Sequence, residues 1–243
     1  MTRVHILMYH RVGQFPGRVK AHGALYCHLP RFKAQMTMFR LLGYTVISLD
    51  DAAAGLRGDK PLPARPLVLT FDDAYVDFLE NAAPVLKAHG YPATVYAVSS
   101  LIGSTSLWDA GVGPEPAPLM DAAQLREVRD MGFTIGSHSK SHLRLAQQDE
   151  ACIAREMSDS KSALEDLLGQ RVDHFCYPYG SHDLRSIEAG LQIGIAHRHE
   201  QFKIDGPKKQ AARALTVLQA LYELADRPIK PDTVQLMLAG DGE

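Results

Sequence analysis

The sequence predicts an α/β fold in which helices alternate with the strands of a parallel β-sheet, either open or closed as a barrel. Two observations support this prediction. Short apolar runs recur along the chain, and the segments between them place apolar residues at helical spacing. The chain has 243 residues, 46% of them hydrophobic, which suffices for one domain with a substantial core. We therefore expect residues 1–243 to form a single domain.

The first half of the chain contains four predicted strands and three predicted helices. The strands are the apolar runs at residues 4–9, 44–49, 67–71 and 93–100. The helices cover residues 30–42, 50–58 and 76–89. Gly43 and Gly90 follow two of these helices, as expected for C-terminal caps. Pro84 should kink the third helix.

The second half continues the alternation after a loop at residues 101–118 that is rich in Gly, Pro and Ser. Asp121, with Gln124 three residues later, predicts the start of a helix that ends at Gly132. The remaining predicted strands cover residues 133–138, 172–180 and 191–197. The remaining helices cover residues 149–168, 185–190 and about 217–224, and a weakly patterned tail closes the chain.

Composition argues against several classes of protein. The net charge of −2 indicates neither a nucleic-acid-binding surface nor a polybasic membrane anchor. The three cysteines, Cys27, Cys152 and Cys176, are odd in number, far apart and without a CxxC pair. Neither a disulfide framework nor a cysteine zinc site is therefore expected.

The N-terminal segment MTRVHILMYHRVG contains only a short apolar run, which His5 and His10 interrupt. It does not resemble a signal peptide. No run approaches the ~20 apolar residues that a membrane span needs. We therefore predict no transmembrane segment and a cytoplasmic location.

Polar residues follow three of the predicted strands, where chemistry concentrates in parallel α/β folds. Asp72 and Asp73 directly follow the strand LVLTF. His138 directly follows FTIGS, and His142 lies four residues further on. Tyr179 ends HFCYPYG. Two histidines four residues apart and a carboxylate from another segment form a three-ligand set that leaves a position for water or substrate. Such a set suits Zn²⁺, with Co²⁺, Ni²⁺, Mn²⁺ or Fe²⁺ as alternatives.

Each motif by itself has an ordinary structural explanation. Two histidines at HxxxH spacing are often surface residues, and an Asp-Asp pair before a helix is often an N-cap with a solvated charge. The placement of all three clusters at strand ends favours a site over these explanations. Gly136 and Gly180 flank the clusters and suit a closely packed, backbone-lined site.

The segments TFDDAYVDF, GFTIGSHSKSHLRL and HFCYPYG, in this order, resemble the motifs of the polysaccharide deacetylase family, the NodB-homology enzymes of carbohydrate esterase family 4. The resemblance covers about residues 4–217 and leaves residues 218–243 as a C-terminal helix and tail. It implies a distorted (β/α) barrel with fewer than eight regular units. It also implies metal-dependent removal of acetyl groups from N-acetylated sugars.

The resemblance implies a role for each matching residue. The first aspartate of TFDD, Asp72, would be the catalytic base, and the second, Asp73, a metal ligand. His138 and His142 would complete the ligand set. Tyr179 would offer its backbone N–H to the oxyanion, and a proline before it would fix the turn.

The sequence departs from the family pattern at two places. Family members often carry an arginine in the third motif that tethers the base, and Cys176 stands at that place. The orientation of Asp72 is then unexplained. The late Leu-x-His motif that supplies a general acid is also absent, and residues 212–217, ARALTV, resemble the ending of a shorter subgroup.

The general acid therefore has several candidates. His10 follows the first predicted strand, and His197 and His199 follow the strand at residues 191–197. Each histidine has a structural or substrate-contacting role as its alternative. Asp72, once protonated, could also return the proton itself.

Candidate substrate contacts surround the same strand ends. Trp108, the only tryptophan, lies in the 101–118 loop and either stacks on a sugar ring or packs against the protein. Tyr177, Pro178 and His197 are further candidates, and for Tyr177 core packing is the main alternative.

Together these features favour a metal-dependent hydrolase that removes an N-acetyl group from an N-acetylated amino sugar. The predicted substrate is an intermediate of surface polysaccharide biosynthesis, such as O-antigen or capsule. Two alternatives remain. One is a deformylase or another amide hydrolase on a related fold. The other is a catalytically inactive, metal-binding partner in a glycan-assembly complex, against which the intact Asp72 argues.

Overall fold

A parallel β-sheet forms the centre of the protein in the computed structural model, which describes residues 4–15, 25–108, 116–193 and 234–238. Within these ranges the strands are β1 (Val4–Tyr9), β2 (Arg11–Gly13), β3 (Tyr26–His28), β4 (Thr45–Val46), β5 (Pro66–Phe71), β6 (Thr94–Ala97), β7 (Thr134–Ser137) and β8 (Val234–Leu238). The main sheet has the order β7-β6-β5-β1-β8, and β4 pairs with the start of β5. Strands β2 and β3 form a separate parallel pair.

The helices of the described residues are α1 (Leu29–Leu41), α2 (Leu49–Arg57), α3 (Ala83–His89), α4 (Ala122–Asp130), α5 (Glu150–Leu168) and α6 (Leu184–Gln192). A π-helical turn at Phe78–Ala82 precedes α3, and Pro84 lies in the first turn of α3. The wider turn accommodates the ring and the missing N–H of the proline. The kink expected at Pro84 stays a prediction.

The helix ends follow the sequence signals. Asp121 and Gln124 form a reciprocal capping box at the start of α4. Gly90 and Gly169 end α3 and α5 in the left-handed conformation. No helix within the described ranges combines the length and the apolar character that a membrane crossing requires.

The two faces of the sheet pack against different surroundings. One face, including Leu69, Val95 and Ile135, is buried in an apolar cluster that contains side chains of α1, α3, α4 and α5. The other face forms a smaller cluster in which Ile6 and Tyr96 lie with residues of α2. Side chains on a strand alternate between faces, so this second face leads along the strands to the polar residues at their carboxyl ends.

The α/β fold with a parallel sheet agrees with the predicted distorted barrel. The expectation that residues 1–243 form a single domain stays a prediction. The strand predicted at 172–180 is reduced to an isolated parallel bridge between Phe175 and Ser137. Pro178 lacks the N–H that a longer ladder needs, and residues Pro178–Gly180 form a 3₁₀ turn instead.

Two other sequence predictions need correction near the C-terminus. The strand predicted at 191–197 is wrong at its start, because Leu191 and Gln192 belong to α6. The capping box between Asp183 and Ser186 starts this helix, and its hydrogen bonds continue through those two residues. The tail predicted to be weakly patterned contains β8, which pairs in parallel with β1. The helix predicted at 217–224 lies outside the described residues.

Candidate metal and catalytic site

Three buried side chains from two strand ends converge at one point. Asp73 Oδ1 lies 3.4 Å from His138 Nε2 and 3.3 Å from His142 Nε2. Potential ligand atoms of the three residues lie within 4.8 Å of one another. The residues are only 4%, 1% and 6% exposed, respectively. A carboxylate and two imidazoles at this separation match the donor set of a catalytic divalent-metal site.

The backbone turns sharply at these residues. Asp73 has a φ of 72° and His142 a φ of 59°, both in the left-handed region that non-glycine residues rarely adopt. Ser139, with a φ of 64°, accepts a hydrogen bond from the His142 N–H at 3.0 Å. The serine thus holds the HSKSH loop, and the turn brings His142 back over the strand end.

The ring of His138 is oriented by the chain that passes beside it. Its Nδ1 lies 2.8 Å from the carbonyl oxygen of Cys176. A carbonyl only accepts, so this contact requires a proton on Nδ1 and leaves Nε2 with its lone pair. Nε2 is the nitrogen that faces Asp73. The pairing of a metal-facing nitrogen with a hydrogen-bonded opposite nitrogen is the usual arrangement of histidine ligands.

His142 is held mainly by aromatic contacts. Trp108 stacks on its imidazole with ring centroids 4.2 Å apart, and Tyr179 contacts it edge-on at 4.6 Å. The Nδ1 of His142 is buried and makes no hydrogen bond to the described part of the chain. Trp108 was predicted to stack on sugar or to pack, and the structure shows it packed on the candidate ligand His142 and against an apolar cluster that includes Tyr75 and Leu119.

The electrostatics of the cluster suit a cation. Burial alone would raise the pKa of Asp73, but the imidazoles of His142, His10 and His138 hold it well below its ordinary value. Burial, with a contribution from His142, lowers the pKa of His138 to about 3. The set is therefore an anionic carboxylate beside a neutral His138. The buried Asp73 Oδ1 lacks a regular hydrogen-bond partner among the described residues, which suits an oxygen that would bind a metal ion.

Asp72 occupies the other side of the same strand end. Its N–H donates to the carbonyl of Tyr9 at 2.9 Å, which continues the ladder between β5 and β1. Its Oδ2 lies 3.6 Å from the Sγ of Cys176 and 3.9 Å from the Nε2 of His10. The structure thus brings the candidate base, the candidate acid His10 and the cysteine of the third motif together, next to the metal-ligand set.

Other candidate residues take different positions. Tyr179, with a φ of 58°, lies on the 3₁₀ turn after Pro178, and the Arg144 guanidinium is 3.7 Å from its ring centroid. Tyr177 is buried among apolar side chains, and its hydroxyl donates to the carbonyl of Ser186. Tyr177 also lines the pocket, whereas Pro178 begins the 3₁₀ turn that carries Tyr179. The substrate roles of both residues stay predictions. His197 and His199 lie outside the described residues.

Sequence reasoning missed the polar residues that support the site from α5. Glu156 accepts a hydrogen bond from the Ser141 N–H at 2.8 Å, and the hydroxyl of Ser160 lies 2.7 Å from that of Ser137. Both side chains are buried on the inward face of α5 with Ile153. Glu156 and Ser160 lie three and seven residues after Ile153, a helical spacing that places all three side chains on one face of α5. This spacing is the sequence signal by which the two polar residues could have been found.

Gly136 shows why this region is closely packed. A Cβ placed on it would lie 2.5 Å from the ring of Tyr96, and 3.0 Å from the carbonyl oxygen of His174. Only glycine therefore fits between β6 and the third motif. This agrees with the close packing that the sequence predicted for it.

Comparison with known proteins identifies relatives of this chain. The sequence profile of the family described as "Polysaccharide deacetylase" matches residues 59–197. YxkH of Bacillus subtilis, which carries the family's name, is 27% identical over 198 residues, covering 80% of this chain and 64% of its own length. The poly-beta-1,6-N-acetyl-D-glucosamine N-deacetylase of Escherichia coli K12 is 31% identical over 99 residues, covering 41% of this chain and 15% of its own length. The chain thus spans less than two thirds of both relatives.

Solved structures share the fold. The deacetylase PplD of Streptococcus pyogenes, in complex with acetate, superposes with a TM-score of 0.68 at 22% identity, covering 81% of this chain and 83% of that one. IcaB of Ammonifex degensii superposes with a TM-score of 0.69 at 21% identity, with the same two coverages. The family profile, the relatives and the shared fold lead to one conclusion: this chain belongs to the polysaccharide deacetylase family, the NodB-homology group of carbohydrate esterase family 4.

Proposed function

We propose that this chain is a metal-dependent hydrolase that removes the acetyl group from an N-acetylated amino sugar. The observation that carries the proposal is the convergence of Asp73, His138 and His142 beside a second carboxylate, Asp72, in one buried pocket. Membership of the polysaccharide deacetylase family supports the reaction type. An inactive metal-binding partner would have no need of a second carboxylate beside the ligand set.

Asp73, His138 and His142 would hold one divalent ion, for which Zn²⁺ is our first choice and Co²⁺, Ni²⁺, Mn²⁺ and Fe²⁺ are alternatives. When bound, such an ion would polarise the amide carbonyl and lower the pKa of water in the site. The carbonyl of Cys176 keeps the Nε2 of His138 available as a ligand atom. The aromatic rings of Trp108 and Tyr179 keep the imidazole of His142 in place.

Asp72 is proposed as the general base. It accepts a proton from the attacking water as the water oxygen bonds to the amide carbon. The backbone N–H of Tyr179 is proposed to donate to the oxyanion that develops on the carbonyl oxygen. The carbon–nitrogen bond then breaks, acetate forms, and the nitrogen leaves as an amine after it receives a proton.

The proton donor to the amine is proposed to be either His10 or the protonated Asp72. The Nε2 of His10 lies 3.9 Å from Oδ2 of Asp72, so both groups reach the same side of the pocket. His10 is also partly shielded from solvent, with a side chain 12% exposed. His197 and His199 stay predicted alternatives for substrate contact or proton transfer.

The proposed substrate is an N-acetylglucosamine-containing polysaccharide or a precursor of one. Support comes from the names of several relatives, the poly-beta-1,6-N-acetyl-D-glucosamine N-deacetylases of Escherichia coli and Staphylococcus epidermidis. A surface polysaccharide, as in capsule or O-antigen assembly, remains the proposed context. The cytoplasmic location inferred from the sequence stays a prediction.

The test is a screen for acyl release. Purified protein is incubated with oligomers of β-1,6-linked N-acetylglucosamine, chitin oligomers and nucleotide-linked N-acetyl sugars, and acetate and formate are measured separately. We expect acetate release that a chelator abolishes and that Zn²⁺ or Co²⁺ restores. Release of formate alone would identify a deformylase, and turnover that survives complete metal removal would overturn the metal-dependent mechanism.

A further inference from the structure

The third motif carries a cysteine that contacts the proposed base. The Sγ of Cys176 lies 3.6 Å from Oδ2 of Asp72, and the cysteine is 2% exposed. A cysteine side chain ordinarily carries its proton at neutral pH, so we treat the group as a thiol. A thiol next to a carboxylate can only donate its proton, so the contact is an S–H···O hydrogen bond.

The backbone holds Cys176 in register with the metal-ligand strand. Its N–H donates to the carbonyl of Ser137 at 2.8 Å, and the Ser137 N–H donates to the carbonyl of His174 at 2.8 Å. Phe175 pairs with Ser137 between these two bonds. The position of residue 176 relative to β7 is thus set by backbone hydrogen bonds and does not depend on its side chain.

The carbonyl and the thiol of this one residue act on different halves of the site. The carbonyl accepts from Nδ1 of His138 at 2.8 Å and so orients a proposed metal ligand. The thiol reaches Oδ2 of Asp72, the same oxygen that lies 3.9 Å from Nε2 of His10. Two neighbours on one carboxylate oxygen restrict rotation about the Cβ–Cγ bond of Asp72.

We propose that Cys176 is a positioning residue: its thiol orients the Asp72 carboxylate for proton abstraction, while its carbonyl separately orients His138. The part that concerns proton abstraction rests on the proposed function. The thiol performs, through a neutral hydrogen bond, the tethering that the sequence left unexplained for Asp72. Because the donor is neutral, it holds the carboxylate without the charge neutralisation that a guanidinium would bring.

The alternative is that Cys176 only fills space. It belongs to an apolar cluster with Ile6, Val68 and Tyr96, and a buried cysteine often behaves as a small hydrophobic residue. The two explanations differ in what substitution does. A packing role responds to volume, whereas a positioning role responds to the presence of a donor.

The experiment compares Cys176→Ala, which removes the donor, with Cys176→Ser, which keeps one. Both retain the backbone carbonyl at residue 176. We expect Cys176→Ala to lower kcat about tenfold, the effect of losing one typical hydrogen bond to a charged group. KM and the metal dissociation constant should stay within about twofold, and Cys176→Ser should recover most of kcat. Cys27→Ala is the matched control, since Cys27 is equally buried but its thiol lies beside Gln35, outside the pocket lining.

Three results would overturn the proposal: a Cys176→Ala enzyme with wild-type kcat, an equal loss in the alanine and serine variants, or a loss explained by weaker metal binding. Acetate release by the wild-type protein is measured first, so that failure of the proposed function is recognised separately. An infrared spectrum adds a readout that needs no turnover. The S–H stretching band of Cys176, assigned by its absence in Cys176→Ala, should move to higher frequency in Asp72→Ala. A band that does not move would refute the hydrogen bond, even if either cysteine variant folded poorly.

Discussion

Asp72 and Asp73 are adjacent and chemically identical, yet the structure gives them different backbones and different neighbours. Asp72 continues the β5 ladder through its bond to Tyr9, and its carboxylate stays beside Cys176. Asp73 has a φ of 72°, which turns its carboxylate toward His138 and His142. The positive φ of Asp73 therefore directs the candidate ligand toward the histidines, while the candidate base Asp72 keeps the hydrogen bonding of the strand.

The cost of that torsion shows where the protein accepts backbone strain. A left-handed conformation costs a non-glycine residue roughly 1–2 kcal/mol. Among the described residues, the non-glycine positions with positive φ are Asp73, Ala74, Ser139, His142 and Tyr179, all in segments that form the site. The C-terminal caps of α2, α3 and α5 use glycine for the same torsion. Strain is thus retained where the site needs a side chain or a close turn, and avoided elsewhere.

The largest effect is expected from a substitution that changes Asp72 alone. Asp72→Asn keeps the size of the side chain but removes the proton acceptor. We expect kcat to fall by about 10²–10⁴-fold, the usual contribution of a general base, while metal affinity changes little. Acetate release and a metal titration of the same preparation measure the two quantities. Loss of metal in this variant would show that the two aspartates do not divide the work as proposed.

The second prediction concerns a substitution of Asp73. Asparagine tolerates positive φ better than most residues, so Asp73→Asn should preserve the turn while it removes the anionic ligand. Metal affinity should fall by more than the roughly 10–100-fold that loss of an outer-shell partner costs. Competition with a chromogenic chelator measures it. A thermal melt of the metal-free variant serves as the control for folding, and an unchanged affinity would remove Asp73 from the ligand set.

A smaller effect should follow from the ring that holds His142. Trp108→Ala removes the stacked indole, so the imidazole gains freedom that metal binding must then restrict. We expect about a tenfold weaker metal affinity, with Trp108→Phe retaining most of the wild-type value. If Trp108 instead served only to stack on sugar, both variants would raise KM and leave the metal affinity of the substrate-free protein unchanged.

The smallest effect tests the strain argument away from the site. Gly169 ends α5 with a φ of 65°, and a Cβ on it would meet no atom within 4 Å. Gly169→Ala should therefore lower the free energy of unfolding by about 1 kcal/mol through backbone strain alone. Chemical denaturation measures this change, and kcat should be unaffected. An unchanged free energy of unfolding would mean that the left-handed conformation costs less free energy in this chain than we infer.

Much of the fold was predictable because its signals are local. The capping box of Asp121 and Gln124 and the terminal glycines Gly90 and Gly169 mark helix ends through hydrogen bonds within a few residues. The segment at 172–180 was overestimated as a strand, since an apolar run does not reveal that Pro178 stops the ladder after one bridge. The strand β8 was missed because its pairing partner, β1, lies at the other end of the chain.

The sequence by itself determined the chemical types of the site: two adjacent carboxylates, two histidines four residues apart, and a cysteine where the family resemblance implies an arginine. Strand alternation and the rule that chemistry gathers at carboxyl ends were enough to place them on one edge. The contact between Cys176 and Asp72, which are 104 residues apart, was decided only by the tertiary structure. So was the stacking of Trp108 on His142. Spacing along a chain reports which side chains share an element, whereas distances between elements depend on how the sheet closes and packs.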